Sequence, residues 1–360
     1  MKLSYSDEQN LLRDSVSKFC LSDYDFETRM KSVESEKGHN EEHWKLFAEL
    51  GWLAIPFAEE HGGLDGNDAD LSLMFEEFGK AIVVEPYLAN VVLGGGILKR
   101  SDLEEKTKYI EGIIAGELQV SLANYEPNKG YNLANVDCEI SSDGTVNGFK
   151  TTVLNAQNAN YFVVFGKQDK GHAFALVSKD AEGLNCTSYK TYDGFVSGDV
   201  KFENCKAEAV FSTDSALDIL EQTILDALIC ISSEAVGAME KCYQLTIEYT
   251  KQREQFGQPL SKFQALQHRM VDMFMETEFT KSFLLKVLAT HETDEKQKLI
   301  YGLKNQVAIA GKLVAEEAVQ MHGGMGCTEE MSIGHYLKRF ISIDSQFGNS
   351  HFHLKKFNNS

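Results

Sequence analysis

Residues 249–274, YTKQREQFGQPLSKFQALQHRMVDMF, decide the fold because they join two helical patterns through a turn. Arg253 ends the first pattern, and Gly257 and Pro259 interrupt it. Beyond the turn, apolar residues recur at the three-and-four spacing of a helix with one apolar face, namely Phe263, Leu266, Met270, Met273 and Phe274. The stretch therefore predicts a helix hairpin with a cation at its turn.

The turn and the helix after it have the chemistry of an anion site. Arg253 offers a forked set of donors, and the start of a helix favours anions. Gln264, Gln267 and His268 lie beside the apolar stripe as side-chain donors and acceptors. A phosphate-bearing ligand is thus one interpretation, but taken alone the stretch favours a simple helix hairpin with a surface arginine.

Composition limits the classes of protein to which the chain can belong. Its 360 residues, of which 43% are apolar, suffice for two or three domains with well-buried cores. The net charge of −19 opposes binding to nucleic acid or to an anionic bilayer through a broad basic face. A phosphorylated small ligand would therefore need local cations.

The cysteines and the apolar runs indicate the cellular compartment. Seven cysteines are scattered without a CxxC pair, which favours reduced thiols over a disulfide framework or a zinc site. The first residues lack the apolar core of a secretion signal, and no apolar run is long enough to span a membrane. We therefore expect a cytoplasmic protein without membrane insertion. The histidines match no compact metal set, so no metal site is predicted.

The order of patterns along the chain predicts three domains. Residues 1–117 carry helical spacing, and residues 118–207 carry short apolar or alternating runs separated by turn residues. Residues 208–360 return to long helical periodicity. The chain is therefore expected to be mainly α with a central β domain.

Local signals mark the starts and turns of these elements. Ser6 and Gln9 form a capping-box pattern at the first predicted helix. Asp143-Gly144 and Asn147-Gly148 are both strong hairpin signals. Glycines 94–96 indicate a hinge or a point of close packing.

Three motifs in the last helical region resemble the acyl-CoA dehydrogenase family. They are R-x-Q-F-G-Q-P-L-x-x-F-Q-x-x-Q-H at 253–268, AVQMHGGMG at 318–326, and the pair Lys338-Arg339 followed by Phe347-Gly348. The resemblance covers nearly the whole chain. It implies an N-terminal helical domain, a β-barrel-like central domain and a C-terminal four-helix bundle, assembled as a tetramer with FAD between subunits. It further implies an acyl-CoA substrate from fatty acid metabolism and an electron-transfer flavoprotein-like acceptor.

The resemblance also assigns individual residues to the FAD. Arg253 matches an arginine that pairs with the FAD pyrophosphate of a neighbouring subunit, and Phe256 matches an aromatic residue that packs on the cofactor. Gly323 and Gly324 match a loop close to the adenine and diphosphate, where glycines leave backbone amides open to an anion. The same two glycines could simply end a helix. The other positions implied for this surface are Gln255, Leu260, Phe263, Gln264 and Gln320.

The chain departs from the family where a catalytic carboxylate is needed. Dehydrogenation of an acyl thioester requires a base that removes the α-proton. Most members have a Glu just before a Gly near the C-terminus, where this chain has Phe347, and a minority have it at the position of Ala227. Asp226 and Glu234 are the weak candidates nearby, and a capping or paired structural carboxylate is the alternative for each. The base is therefore unknown.

The predicted β domain departs from the family as well. This chain reads YEPNKGYN at 125–132 and KTTVLN at 150–155. Thr152 stands where the family has a Trp beside the flavin ring, and Leu154 stands where it has a Thr. The resemblance therefore implies the ADP side of an FAD site more strongly than the ring side.

These losses resemble the small subunit of heteromeric enzymes such as pimeloyl-CoA dehydrogenase. In related heteromeric dehydrogenases one subunit keeps the base and the other mainly completes the FAD pocket. Three hypotheses remain: a competent FAD-dependent acyl-CoA dehydrogenase with an atypical base, an inactive partner subunit in a hetero-tetramer, and a redeployed fold that binds a ligand without dehydrogenation. The choice between the first two depends on whether Asp226 or Glu234 can reach an α-carbon.

Overall fold

The structure, a computed structural model, describes residues 5–169 and 171–359. The helices before the sheet are α1 (Asp7–Ser22), α2 (Phe26–Glu34), α3 (Glu41–Glu49), α4 (Asp68–Ala81), α5 (Gly95–Arg100) and α6 (Lys106–Ile114), with a π-helical segment at Leu88–Gly94. The predicted capping box at the start of α1 is confirmed, because the Ser6 and Gln9 side chains each accept a hydrogen bond from the other residue's backbone N–H.

The strands are β1 (Val120–Ala123), β2 (Glu139–Ile140), β3 (Thr145–Leu154), β4 (Tyr161–Gln168), β5 (Gly171–Ser178), β6 (Leu184–Lys190), β7 (Val196–Lys206) and β8 (Ala209–Phe211). They form one sheet in the order β6-β7-β3-β2-β4-β5-β8, and β1 pairs with β4 in parallel. Inward-facing apolar side chains such as Phe162, Val164, Val200 and Phe202 form its core. The predicted central β region is confirmed.

One of the two predicted hairpin turns is confirmed and the other was wrong. Gly144, at φ 81°, lies in the turn that joins β2 to β3. Asn147 and Gly148 lie instead inside β3, at a register shift against β7. A Cβ at Gly148 would lie 2.6 Å from the Sγ of Cys138. This glycine is therefore explained by a bulge and by close packing, not by a turn.

After the sheet the chain is helical again, apart from one short hairpin. The elements are α7 (Ala216–Gln252), β9 (Glu254–Gln255), β10 (Gln258–Pro259), α8 (Gln264–Leu288), α9 (Thr293–His322), α10 (Ser332–Ser345) and α11 (Ser350–Asn359). The buried face of α8 includes Met270 and Met273, as the apolar spacing predicted. Phe274 does not belong to it, because it is 46% exposed. The single apolar face expected for this helix is therefore two faces, one buried and one exposed.

Contacts divide the described chain into two compact units. One unit comprises the described residues of 1–30, 68–83 and 228–360, which are helical except for the β9–β10 hairpin. The other comprises 31–67 and 84–227 and contains the eight-stranded sheet.

Glycines allow close backbone approach within each unit. In the sheet-containing unit, a Cβ at Gly94 would lie 2.2 Å from the carbonyl oxygen of Val120, which confirms close packing at the glycine run. In the helical unit, a Cβ at Gly237 would lie 1.8 Å from the carbonyl oxygen of Glu76. The second approach holds α4 directly against α7, the helix that carries Glu234.

Candidate functional site

The Arg253 region folds as a tight hairpin at the end of α7. β9 and β10 pair through Gln255 with Gln258 and Glu254 with Pro259, so only two residues form the turn. Those residues, Phe256 and Gly257, have φ values of 54° and 80°. Two positive φ values are the signature of the type I′ turn that suits two-residue hairpins. A phenylalanine at the first position is strained, because its Cβ disfavours the left-handed region.

This strained residue is also the most exposed large apolar side chain of the hairpin. Phe256 is 90% exposed, and its ring meets the edge of Phe263 at a centroid distance of 6.1 Å. Leu260, in the short 3-10 turn before α8, is half-buried beside them. Strain at a residue that is almost fully exposed in its own chain points to a role outside that chain.

Arg253 lies at the base of the hairpin with its charge uncompensated. Its backbone carbonyl accepts a hydrogen bond from the Leu260 N–H at 2.8 Å, but its exposed guanidinium contacts no hydrogen-bonding or ionic partner among residues 5–169 and 171–359. Gln264 is the first residue of α8 and is exposed, whereas the Gln255 amide donates back to the Glu254 carbonyl. A guanidinium without a partner beside a helix start is suited to an oxyanion.

The glycine loop at 323 and 324 is held next to the same end of α7. The Tyr249 hydroxyl donates to the carbonyl of His322 at 3.3 Å, and the two rings stack with centroids 4.2 Å apart. Burial lowers the pKa of His322, so the stacked ring is neutral near pH 7. The end of α7 and the end of α9 therefore present Arg253 and the glycines on one side of the helical unit.

The glycines themselves serve two purposes. Gly323, at φ 61°, ends α9 and donates its N–H to the Gln320 carbonyl, as a helix cap would. A Cβ at either Gly323 or Gly324 would meet nothing within 4 Å, so packing within the described chain does not require two glycines here. Gln320 is exposed on the last turn of α9. The open backbone of this loop fits a bound diphosphate.

The donor set of this surface fits the ADP half of FAD. The lone guanidinium of Arg253 suits the pyrophosphate, the glycine loop leaves space for it, and the exposed Phe256 with Phe263 and Leu260 offers an apolar surface for the adenosine. The structure thus brings together the residues for which the sequence predicted this role. Their contact with a cofactor stays a prediction.

The two usual positions of a catalytic carboxylate are filled by buried apolar residues. Ala227 is fully buried, and Phe347 is 6% exposed with a φ of 57°. The Nε2 of His353 donates to the Phe347 carbonyl at 3.0 Å, and the Nζ of Lys304 donates to the Gly348 carbonyl at 2.8 Å. The loop between α10 and α11 is therefore fixed around a side chain that cannot accept a proton.

Each candidate carboxylate on α7 is engaged by an arginine. The Asp226 Oδ2 accepts from Arg100 of α5 at 2.6 Å. The Glu234 oxygens accept from the Nε and Nη2 of Arg339 at 2.5 and 2.7 Å, and both side chains are buried. Neither residue is therefore an unpaired carboxylate. The Glu234 pair is bidentate and fully internal, which is the geometry of a structural ion pair.

A carboxylate occupies the part of the β domain for which the resemblance implied flavin-ring contacts. Asp199 of β7 accepts from the Thr151 hydroxyl at 2.7 Å, the Thr152 N–H at 3.1 Å and the Tyr189 hydroxyl at 3.2 Å. Thr152 has a φ of 55°, an outlier for a β-branched residue, at a register shift of β3. The hydroxyls of Thr151 and Tyr189 are thus directed to Asp199, and Leu154 has no hydroxyl to offer.

The loop before β2 is anchored by a buried ion pair. Glu126 accepts from Lys150 at 2.7 Å and from the N–H of Cys138 at 2.9 Å. Burial alone would raise the pKa of Glu126, but the charge of Lys150 and the backbone hydrogen bonds outweigh it and lower that pKa. The carboxylate is thus ionised and holds the loop rather than a ligand.

The partners of these groups are not evident from the sequence. Asp199 stands in GDVKFENC, whose alternating pattern could have flagged it as an acidic residue within a strand. Arg100 and Arg339 lie 126 and 105 residues away from their carboxylates, so no local signal pairs them.

Among the described residues, no group of three or more His, Cys, Asp or Glu side chains could hold a metal ion. None of the described helices is long and apolar enough to cross a membrane.

Two family models match most of the chain. The one described as acyl-CoA dehydrogenase, N-terminal domain, matches residues 6–117, and the one described as acyl-CoA dehydrogenase, C-terminal domain, matches residues 217–355. The chain is 28% identical over 360 residues to the probable acyl-CoA dehydrogenase YngJ of Bacillus subtilis (strain 168), with 94% of this chain and 93% of that protein covered.

Solved structures share the fold over the full length. A chain of the ChsE4-ChsE5 complex from Mycobacterium tuberculosis has a TM-score of 0.90 at 21% identity and covers 100% of this chain and 98% of its own. The FAD complex of PigA has a TM-score of 0.91 at 22% identity, again covering 100% and 98%. At these identities the likeness establishes the architecture of helices and central sheet.

Proposed function

This chain belongs to the acyl-CoA dehydrogenase family of oxidoreductases, and we propose that it is the subunit of a heteromeric FAD-dependent acyl-CoA dehydrogenase that completes the FAD site of a related subunit. One observation carries the proposal. The surface suited to the ADP half of FAD is open, whereas both usual base positions are buried apolar residues and both nearby carboxylates are paired with arginines.

In this proposal the chain binds the part of the cofactor that carries negative charge. Arg253 pairs with the pyrophosphate, and Gly323 and Gly324, which carry no side chains, let the diphosphate and adenine approach their loop. Phe256 packs on the cofactor, and the rest of the surface consists of Gln255, Leu260, Phe263, Gln264 and Gln320. These residues would act on a cofactor whose ring is held by a neighbouring subunit, which is supported by the engagement of Thr151 and Thr152 with Asp199.

The proposed roles of the two subunits follow from what the reaction needs. When bound, FAD accepts hydride from the β-carbon of an acyl-CoA while a base removes the α-proton. The related subunit would supply that base, because in this chain Phe347 and Ala227 have no group that takes up a proton. The role of this chain is to orient the cofactor and to exclude water from it.

Assembly with a related subunit is supported by the exposed apolar side chains of the helical unit. Val271, Phe274, Met275 and Phe279 form a stripe along α8. Isolated exposed apolar residues are ordinary, but a continuous stripe on one helix indicates a protein contact. A hetero-tetramer is the proposed state, in line with the resemblance to heteromeric enzymes, and the ChsE4-ChsE5 structure is itself a complex of two named chains.

A second candidate is a competent dehydrogenase that uses Asp226 as its base. The Asp226 side chain keeps 20% of its surface exposed, whereas that of Glu234 is buried. Asp226 therefore has some access to solvent that Glu234 lacks. In either case we propose an acyl-CoA substrate, an electron-transfer flavoprotein-like acceptor and a cytoplasmic role in fatty acid metabolism.

The test compares the chain alone with the complex purified from its native host through an affinity tag. Alone, the chain should retain little FAD, and butyryl-, octanoyl- or palmitoyl-CoA added without oxygen should not bleach any flavin absorption. The native complex should contain a family subunit with a Glu at its base position in equal amount, and acyl-CoA should bleach it.

Variants of the same complex assign the roles. Arg253→Ala should lower the FAD content of the complex, while Lys251→Ala, a neighbouring exposed cation, should leave it unchanged. Bleaching of the isolated chain by acyl-CoA, lost in Asp226→Asn, would overturn the proposal in favour of the second candidate. A complex that holds no flavin and oxidises no acyl-CoA would indicate the redeployed fold instead.

A further inference from the structure

Tyr249 of α7 contacts both parts of the surface proposed for the ADP half of FAD. Its backbone carbonyl accepts a hydrogen bond from the Arg253 N–H at 2.8 Å, and its hydroxyl donates to the His322 carbonyl at 3.3 Å. His322 directly precedes Gly323 and Gly324. We propose that Tyr249 is a positioning residue, which sets the separation between the Arg253 guanidinium and the glycine loop to suit the diphosphate of FAD. This inference rests on the proposed function.

The position of Tyr249 on α7 ties it to Arg253. The two residues are four apart, and the hydrogen bond between them continues the helical pattern by one residue beyond the end of α7 at Gln252. Side chains four residues apart on a helix are neighbours on one face, with Cβ atoms about 5–6 Å apart. The side chains of Tyr249 and Arg253 therefore start from the same side of α7.

At the end of α9, Tyr249 contacts His322 through both its ring and its hydroxyl. The two rings stack with centroids 4.2 Å apart and planes inclined by 23°. The His322 ring is itself fixed, because its Nδ1 lies 2.8 Å from the Ala318 carbonyl and the residue is only 3% exposed. The last carbonyls of a helix need donors from outside it, and the Tyr249 hydroxyl supplies one to His322, the last residue of α9.

The far end of the loop is fixed independently of α7. The backbone N–H and the hydroxyl of Thr328 both donate to the Met325 carbonyl, at 3.1 and 2.9 Å. Among residues 5–169 and 171–359, the Tyr249 hydroxyl makes the one hydrogen bond that joins residues 322–328 to α7. Loss of this hydroxyl would therefore remove the polar link to α7 and leave the other contacts of the loop in place.

The separation that Tyr249 sets decides how well a diphosphate fits. Arg253 supplies positive charge in a chain whose net charge is −19. The loop supplies space, because a Cβ at Gly323 or Gly324 would meet nothing within 4 Å. Groups that are held in place before the ligand arrives cost less entropy to order on binding. Tyr249 thus acts on the cofactor through Arg253 and the loop.

The first measurement is hydrogen–deuterium exchange of the full chain alone, which requires neither FAD nor a partner. Tyr249→Phe keeps the stacked ring and removes the hydroxyl. Amide exchange in peptides covering residues 321–328 should become about fivefold faster, the factor given by the loss of one ordinary hydrogen bond. Tyr249→Leu should increase it further, because the stack is lost as well. Tyr243→Phe, which removes a hydroxyl from the same helix beside Phe274, should leave it unchanged.

The second measurement is the affinity of the native complex for FAD, after the complex has been freed of flavin and titrated while flavin fluorescence is followed. Tyr249→Phe and Arg253→Ala are made singly and together. If Tyr249 places the groups that meet the diphosphate, the two changes are coupled, and the double variant should lose less affinity than the product of the two single losses. Losses that simply multiply would overturn the positioning role and assign Tyr249 to stability alone.

The outcomes separate this inference from the proposed function. Unchanged exchange in both Tyr249 variants would overturn the positioning role and leave the proposed function standing. The same holds if Tyr249→Phe binds FAD as wild type does while Arg253→Ala binds it more weakly. An unchanged FAD affinity in Arg253→Ala would contradict both, because the contact that Tyr249 is proposed to position would not exist.

Discussion

Arg100 and Arg339 determine what the carboxylates of α7 can do. By its type and position in the sequence, either Asp226 or Glu234 could face a substrate and act as the base. The structure pairs each with a guanidinium, and the Glu234 pair is fully buried. Removing one partner of such a buried pair typically costs about 3–5 kcal/mol of stability. A loss of activity in a Glu234 variant would therefore be explained by its loss of stability and would not identify Glu234 as the base.

A buried lysine offers a test of the loop that replaces the catalytic carboxylate. Lys304 is fully buried, and its Nζ donates to the carbonyls of Gly348 and Asp344 at 2.8 and 3.1 Å. Burial lowers the pKa of Lys304 from 10.5 to about 7, against the opposing charge of Asp344. At a pH between these two pKa values, Lys304 is mostly protonated in the unfolded chain and mostly deprotonated in the folded chain.

The sign of the pH dependence follows from this difference in bound protons. Stability rises with pH wherever the unfolded state binds more protons, by at most about 1.4 kcal/mol per pH unit for one group. We therefore expect the free energy of unfolding of wild type minus that of Lys304→Met to increase from pH 7.5 to pH 10, measured by urea denaturation. A difference that is constant over this range would show that Lys304 titrates normally in the folded state.

At the scale of elements, the β9–β10 hairpin holds one exposed aromatic residue in a strained backbone conformation. Phe256 occupies a left-handed position that suits Asn or Gly, yet its side chain is 90% exposed. Asn or Gly at position 256 would adopt this conformation with less strain, so the fold alone does not explain the phenylalanine. The hairpin is therefore best explained by a surface that another molecule covers, which agrees with the proposed contact to FAD.

We expect Phe256→Asn to separate folding from cofactor binding. Asn tolerates positive φ, so the melting temperature should stay the same or rise slightly. The FAD content of the purified complex should fall, because the aromatic surface is lost. Tyr192→Ser, which removes another exposed aromatic side chain, should leave FAD content unchanged and serves as the control. Normal FAD content in Phe256→Asn would refute the assigned contact.

At the scale of the whole molecule, the exposed stripe of α8 predicts assembly. Phe279 is 60% exposed and lies one helical turn beyond Met275. We expect Phe279→Glu to shift the complex to smaller species in size-exclusion chromatography with light scattering, because a charge in an apolar contact is costly to desolvate. FAD retention should fall with assembly if the cofactor lies between subunits.

An exposed leucine on another helix provides the matched control for this surface. Leu21 of α1 is 75% exposed and is not part of the stripe. Leu21→Glu should leave the molecular mass of the complex unchanged. If Phe279→Glu also left it unchanged, the stripe would not be the assembly surface.

Much of the fold could be predicted because its signals are local. The capping box at Ser6, the helical periodicities and the turn at Gly144 depend on neighbouring residues, and all three were confirmed. The turn predicted at Asn147-Gly148 failed because a bulge and the packing of Cys138 can require the same dipeptide. The two faces of α8 were not distinguishable, since buried and exposed apolar residues have the same spacing.

The sequence alone determined the family and the order of helices and strands, because both depend on residue types at fixed spacing, and it predicts the residues for the ADP half of FAD. Only the tertiary structure decided that Asp226 and Glu234 are paired and that Asp199 accepts from Thr151, Thr152 and Tyr189. Those contacts join residues far apart in the chain. Their energies depend on burial and distance, which no spacing in a sequence records.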